Sequence, residues 1–231
     1  MISNLFSGNF DIIGTLMRIP IVLIALSVHE CAHGYAAYKM GDPTAKAFGR
    51  LTLNPLKHLD LFGTLSMFLF GFGWAKPVPV NARRFDNPRK GMAVTAVAGP
   101  LSNVALSFLG LFLYGTTIVL AIKIPSLFTG SVFMSNFYTV LTTFFYMFHV
   151  MNLALAVFNL IPIPPLDGSR LAFVFLPDRI YFNLMKYEQI IQTILMVALF
   201  VGLLDTPLNF VISILSNGMM NIISFVMELI I

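Results

Sequence analysis

Long uncharged runs separated by short basic stretches organise this chain. Ile12 to Tyr38 is mainly apolar, Met92 to Ile122 carries no charge for 31 residues, and Ile124 to Leu166 holds no Asp, Glu, Lys or Arg. About 20 apolar residues suffice for a helix to cross a bilayer. Three spans are therefore predicted, at 12–38, 92–122 and about 133–160, with the residues before 133 as a loop. Pro162, Pro164 and Pro165 end the third. Gln189 to Leu204 reads as a fourth, slightly short span. Pro207 to Met227 reads as either a fifth span or a helix lying in the interface, because Asn209, Ser213, Ser216, Asn217 and Asn221 make it more amphipathic. Small residues crowd the start of the second run: Ala93, Thr95, Ala96, Ala98, Gly99, Ser102 and Ala105. They let helix backbones approach closely in lipid, so this half is expected to pack on the first span.

Between the first two spans the pattern changes. Leu61 to Ala75 is uncharged and aromatic but broken by Gly63, Gly71 and Gly73. It is too short for a span and is expected to be re-entrant or interfacial. Lys76 to Asn81 alternates valine with proline, which predicts an extended edge strand.

Composition fixes the solvent. The chain is 58% hydrophobic and 10% charged, against about 25% charged in soluble domains, so it is read as an integral membrane protein. Residues 39–91 hold nine of the 14 lysines and arginines. The positive-inside bias assigns them, and the second basic stretch at 169–188, to the cytoplasm. That clustering beside membrane segments also argues against nucleic acid as a partner for the net charge of +4. A lone cysteine, Cys31, excludes an internal disulfide. No cleavable signal is expected, because Met1 to Phe10 lacks a basic start.

The chemistry lies in the first run, at Ser27 to Tyr38. His29, Glu30 and His33 form an H-E-x-x-H pattern, and Glu30 is the only formal charge from Ile19 to Tyr38. On a helix, positions four apart share a face, so His29 and His33 can close on one metal ion. Glu30 lies about 100° round the helix, where it can take a proton from a water that the ion activates. Two imidazoles and a carboxylate suit zinc with a fourth position open. A chance match is the bland alternative, but charge at membrane depth is costly and marks function by default. Cys31 points away from the histidine face and reads as packing.

Candidates for a third ligand are Asp42, His58, Asp60, His149 and Asp167. Asp42 follows Gly41 and reads as a turn or cap residue. His58 and Asp60 sit in a polar loop, and His149 is mid-span, where a hydrogen-bonded packing histidine is the safer reading. With the N-terminus outside, the H-E-x-x-H motif and Asp167 both fall at the cytoplasmic ends of spans. Prolines around Asp167 make its presentation rigid.

Three motifs, HECAH (29–33), GPLSN (99–103) and FNLIPIPPLDG (158–168), resemble in their order the site-2 proteases, the family of intramembrane zinc metalloproteases. NPLKHLD (54–60) and WAKPVPVN (74–81) resemble its short prokaryotic members. The resemblance implies one zinc ion per chain held by His29, His33 and Asp167, with Glu30 as the catalytic general base. It also implies substrate contacts by Asn159 and Asn103. Ser169 and Leu61 depart from common family residues, which bears only on loop shape. Nothing resembles a PDZ or CBS domain.

The expected fold is an all-α polytopic membrane protein. It has a three-helix catalytic core, one or two further membrane helices, and a small re-entrant or β-like cytoplasmic segment. Residues 1–231 form one integral-membrane peptidase domain, with core 12–170 and accessory C-terminal helices at 187–231. The expected function is hydrolysis of a peptide bond in or near the transmembrane segment of a membrane protein. The expected partners are a single-pass transmembrane substrate and the lipid bilayer, with a homo-oligomer or a regulatory membrane partner left open. The chain is expected to be multi-pass in the cell membrane, its site toward the cytoplasm. A metal transporter or channel is the runner-up, but no internal repeat is evident. A catalytically silent binding protein is the third reading.

Overall fold

The computed structural model describes residues 12–60, 63, 75–172 and 174–229. Helix α1 (Ile12–Lys39) leads to the short α2 (Thr44–Ala47). Two single 3-10 turns, Pro55–Lys57 and Ala82–Arg84, precede α3 (Pro88–Lys123). The short α4 (Ser126–Thr129) joins it to α5 (Val132–Asn159). Then come α6 (Asp167–Ala172), α7 (Asp178–Lys186), α8 (Glu188–Phe200) and α9 (Asp205–Glu228).

Local chemistry starts the long helices where the sequence changes character. The Asn87 side chain accepts from the Lys90 N–H at 3.0 Å and Pro88 takes the first turn of α3. Ser131 accepts from the Met134 N–H at 3.2 Å and caps α5. Pro20 and Pro100 lie inside α1 and α3 without ending either helix.

Among the described residues, four helices are long and apolar enough to cross a membrane: α1, α3, α5 and α9. The protein is thus an all-helical, multi-pass membrane protein. Helix α3 is central and packs against α1, α5 and α9. Contacts set the directions. His29 meets Asn103 and His33 meets Thr95, so α1 and α3 are antiparallel. Asn103 meets Asn152 and Ser107 meets His149, so α3 and α5 are antiparallel. On α9, Ser216 lies at the level of Ser107 through His149, and a side chain at Gly115 would meet Ile223 and Met227. Helix α9 therefore runs parallel to α3. Leu111, Leu153 and Met219 fill the apolar space between the three.

Two expectations change. The fourth span at 189–204 does not form. Helix α8 has 13 residues, about 20 Å at 1.5 Å per residue, against a hydrocarbon core of about 30 Å. The last segment has the length instead, at 24 residues in α9, and its polar positions do not reduce it to a surface helix: Ser216 is spent on His149 inside the bundle. The strand at 76–81 is not a ladder either. One isolated antiparallel bridge, Leu59 with Ala75 just before it, is the only sheet pairing among the described residues. Pro77 and Pro79 lack the N–H groups that a ladder needs. The predicted re-entrant stretch, 61–75, lies almost wholly outside the described residues.

Candidate active site

The polar contacts of the core lie on one stripe of α3: Thr95, Gly99, Asn103 and Ser107, each four residues from the last and so on one helix face. Facing it on α1 are His29 and His33, both buried. Gly99 is what allows the approach. A Cβ there would overlap the His33 ring and lie 2.7 Å from His29 Cε1.

Each histidine is oriented by its Nδ1. His33 Nδ1 lies 2.7 Å from the Thr95 carbonyl, which can only accept, so Nδ1 carries the proton. His29 Nδ1 lies 2.6 Å from Asn103 Oδ1. In the neutral rings both Nε2 atoms then carry lone pairs. They sit 2.9 Å apart, with Asp167 Oδ2 at 3.2 Å from His29 and 3.1 Å from His33. Three lone-pair atoms converging in a buried place repel one another unless a cation sits among them. A tetrahedral ion with bonds near 2.0–2.2 Å spaces its ligands about 3.3–3.5 Å apart, so this triangle fits one after shifts of a few tenths of an ångström. His29, His33 and Asp167 form the one cluster of possible metal ligands found among the described residues.

Asp167 reaches them from beyond the end of α5. The chain folds back on itself there, and Gly168 permits it: a Cβ at that position would lie 2.5 Å from the Ile161 carbonyl. The other candidates for a third ligand have separate tasks. His149 is fully buried between Ser107 and Ser216, at 2.7 and 2.9 Å. His58 is buried, 2.8 Å from the Thr52 carbonyl. Asp60 accepts from the Gly63 N–H. Asp42 is a turn residue that ties two segments: it accepts from the Thr44 N–H and hydroxyl and, at 2.6 Å, from the Asn81 N–H. Burial alone would raise the Asp42 carboxyl, but these hydrogen bonds and the nearby Arg84 charge outweigh it and hold it below the usual range.

Glu30 is buried beside the triangle. The Val78 N–H donates to its Oε2 at 2.8 Å, a contact that sequence patterning did not reveal, because the donor is backbone. Glu30, the three clustered residues, Asn159 and Arg170 line one cavity of about 250 Å³, walled on another side by Ala75, Pro77, Val78 and Val80. Asn159 donates to the Leu155 carbonyl at 2.9 Å, which leaves its oxygen and one N–H. Asn103 does not match its expected place. It is fully buried behind His29 and is not among the residues lining the cavity. Its amide is spent on His29, on the Ala25 carbonyl at 3.2 Å and on Asn152 at 3.0 Å. It therefore faces His29 and not the cavity in which a substrate contact was expected.

Two histidines, a carboxylate and a glutamate in one buried cavity of a helical membrane protein have the make-up of a membrane metallohydrolase. A family model described as Peptidase family M50 matches residues 17–203, and the chain belongs to that family, a membrane zinc metalloprotease of the site-2 protease type. The protein named "Putative zinc metalloprotease YwhC" of Bacillus subtilis is 44% identical over 167 residues, 72% of each chain. "Putative zinc metalloprotease Rip2" of Mycolicibacterium smegmatis is 27% identical over 151 residues, 63% of this chain and 52% of that one. No solved structure matches the chain.

Proposed function

We propose that this chain cuts a peptide bond in or near the transmembrane segment of a membrane-protein substrate, using one zinc ion held by His29, His33 and Asp167. The observation that carries this reading is the convergence of three lone-pair atoms within 3.2 Å beside Glu30. Zinc in such a place supplies Lewis acidity, lowering the pKa of a water and polarising a carbonyl. Glu30 takes the proton of the attacking water and returns it to the leaving amine. The Val78 N–H fixes one of its oxygens, and the other has no partner among the described residues.

A helix in lipid hides its peptide bonds in internal hydrogen bonds, so the substrate must unwind locally. Its freed groups then need partners. Asn159 offers one acceptor and one donor. The 75–80 segment offers mostly acceptors, because Pro77 and Pro79 have no N–H, and the Lys76 and Val78 N–H groups are spent on His58 and Glu30. The carbonyls of Pro77, Val78 and Pro79 are free among the described residues and suit the N–H groups of an extended substrate.

The site lies six residues from Lys39 on α1 and seven from Pro88 on α3, about 10 Å from that end of the bundle. The same end carries Lys39, Arg83, Arg84, Arg89 and Lys90, which supports a cytoplasmic-side location. Membrane proteomes of cells with active enzyme and with Glu30→Gln test the reading. Glutamine keeps size and hydrogen bonding but cannot accept a proton. Fragments ending inside transmembrane segments should depend on Glu30 by at least about 100-fold, and an unchanged fragment set would remove Glu30 from the mechanism.

A further inference from the structure

We propose that Asn152 is a positioning residue for the metal centre: with Asn103 it forms a directional two-amide relay that holds His29 in its ion-binding tautomer. The relay takes one residue from each core helix. His29 Nδ1 lies 2.6 Å from Asn103 Oδ1, Asn103 Nδ2 lies 3.0 Å from Asn152 Oδ1, and Asn152 Nδ2 lies 2.8 Å from the Phe148 carbonyl. Asn103 Nδ2 also lies 3.2 Å from the Ala25 carbonyl, one turn before His29 on α1. Both asparagines are 0% exposed.

Backbone carbonyls only accept, and that fixes the direction. The Phe148 carbonyl requires the Asn152 amide nitrogen, which turns the Asn152 oxygen toward Asn103. That oxygen and the Ala25 carbonyl both require donors, so Asn103 presents its nitrogen to them and its oxygen to His29. The Asn103 oxygen requires a proton on Nδ1, which leaves the Nε2 lone pair for the ion. Flipping either amide would set oxygen against oxygen with no water to intervene, a cost that buried polar groups avoid. Asn103 acts on His29 directly. Asn152 adds a second barrier against the flipped Asn103 amide and joins α5 to the centre.

The inference rests on His29 being a ligand, and zinc affinity separates the two claims. Chelator competition on the purified full chain gives that affinity for wild type, Asn103→Leu, Asn152→Leu and the double variant. Loss of a partner that orients a ligand costs about 10–100-fold in metal affinity, which is the expectation for Asn103→Leu. Asn152→Leu should cost about 3–10-fold, the scale of one lost buried hydrogen bond. The double variant should bind no more weakly than Asn103→Leu alone, because Asn152 acts through Asn103. Asn152→Asp, protonated in apolar surroundings, keeps an acceptor and a donor and should restore affinity to near wild type. Where Asn152→Leu does not fold, Asn152→Ser, too short to reach Asn103, takes its place with the same expectations. Wild-type affinity in the Asn152 variant, or a loss fully additive with that of Asn103→Leu, overturns the relay while leaving the metal site intact. A wild type that binds no zinc overturns both.

Discussion

His29 and His33 owe their chemistry to what their far nitrogens touch. One donates to a carboxamide and the other to a carbonyl of α3, and the two lone pairs left over meet at Asp167. Zinc bound by two imidazoles and one carboxylate loses affinity sharply when any one is removed. Asp167→Ala should therefore emerge with well under one zinc per chain, whereas His58→Ala should retain it; equal zinc in both would shift the third ligand elsewhere. Helical spacing alone exposed His29, Glu30 and His33, because a repeat of four is a face. Asp167 was legible from depth and rigidity. Asn103 faces His29 and not the cavity, a direction that its motif does not carry. Asn152 is two turns before Asn159 on α5 and could have been noticed as an amide in a charge-free span. Its partners could not, because they belong to two other helices. The same holds for the N–H of Val78 on Glu30.

At the scale of elements, the segment from Ala75 to Asn81 is held without a sheet. Arg50 grips the Lys76 carbonyl at 2.6 Å, the His58 carbonyl takes the Lys76 N–H, Glu30 takes that of Val78, and Asp42 takes that of Asn81. Alternating valine and proline predicted a strand that does not form, and the clasp that takes the place of a ladder is tertiary. Asp42 makes the clasp pH-sensitive. Its folded pKa is depressed, so its stabilisation is fully present above the unfolded value of about 3.9 and is lost as pH falls through the lower, folded value. Hydrogen-exchange protection at Asn81, whose N–H Asp42 accepts, should be unchanged from about pH 7 to about pH 5 and fall below about pH 4. Asp42→Ala should show the loosened segment already at neutral pH, and full protection there would deny Asp42 this role. The helices divide the same way. Apolar length marked α1, α3 and α5 to within a few residues, while α8 failed because an apolar run also includes the turn at Val201 to Leu204.

For the whole molecule, the contacts make α9 parallel to α3 and leave α8 too short to span. The proposed cytoplasmic side for the basic ends of α1 and α3 would make α1 and α5 run inward and α3 and α9 outward. After replacement of Cys31, a single cysteine at Arg84 should be labelled only once the membrane is opened. One at Ser131 should be labelled on intact cells. External labelling at Arg84 would invert the molecule and move the cut to the other face.

The act proposed for Glu30, beside a zinc site at one end of the membrane helices, is cleavage of a substrate inside its transmembrane segment. Its most direct test is mass-spectrometric mapping of fragments from a single-pass substrate reconstituted in lipid with purified, zinc-loaded chain. Wild type should yield a cut in the cytoplasmic half of the segment, and Glu30→Gln, with its zinc retained, should yield none. Fragments that form equally with Glu30→Gln, or cuts confined to soluble loops of the substrate, would contradict cleavage by Glu30 within the membrane.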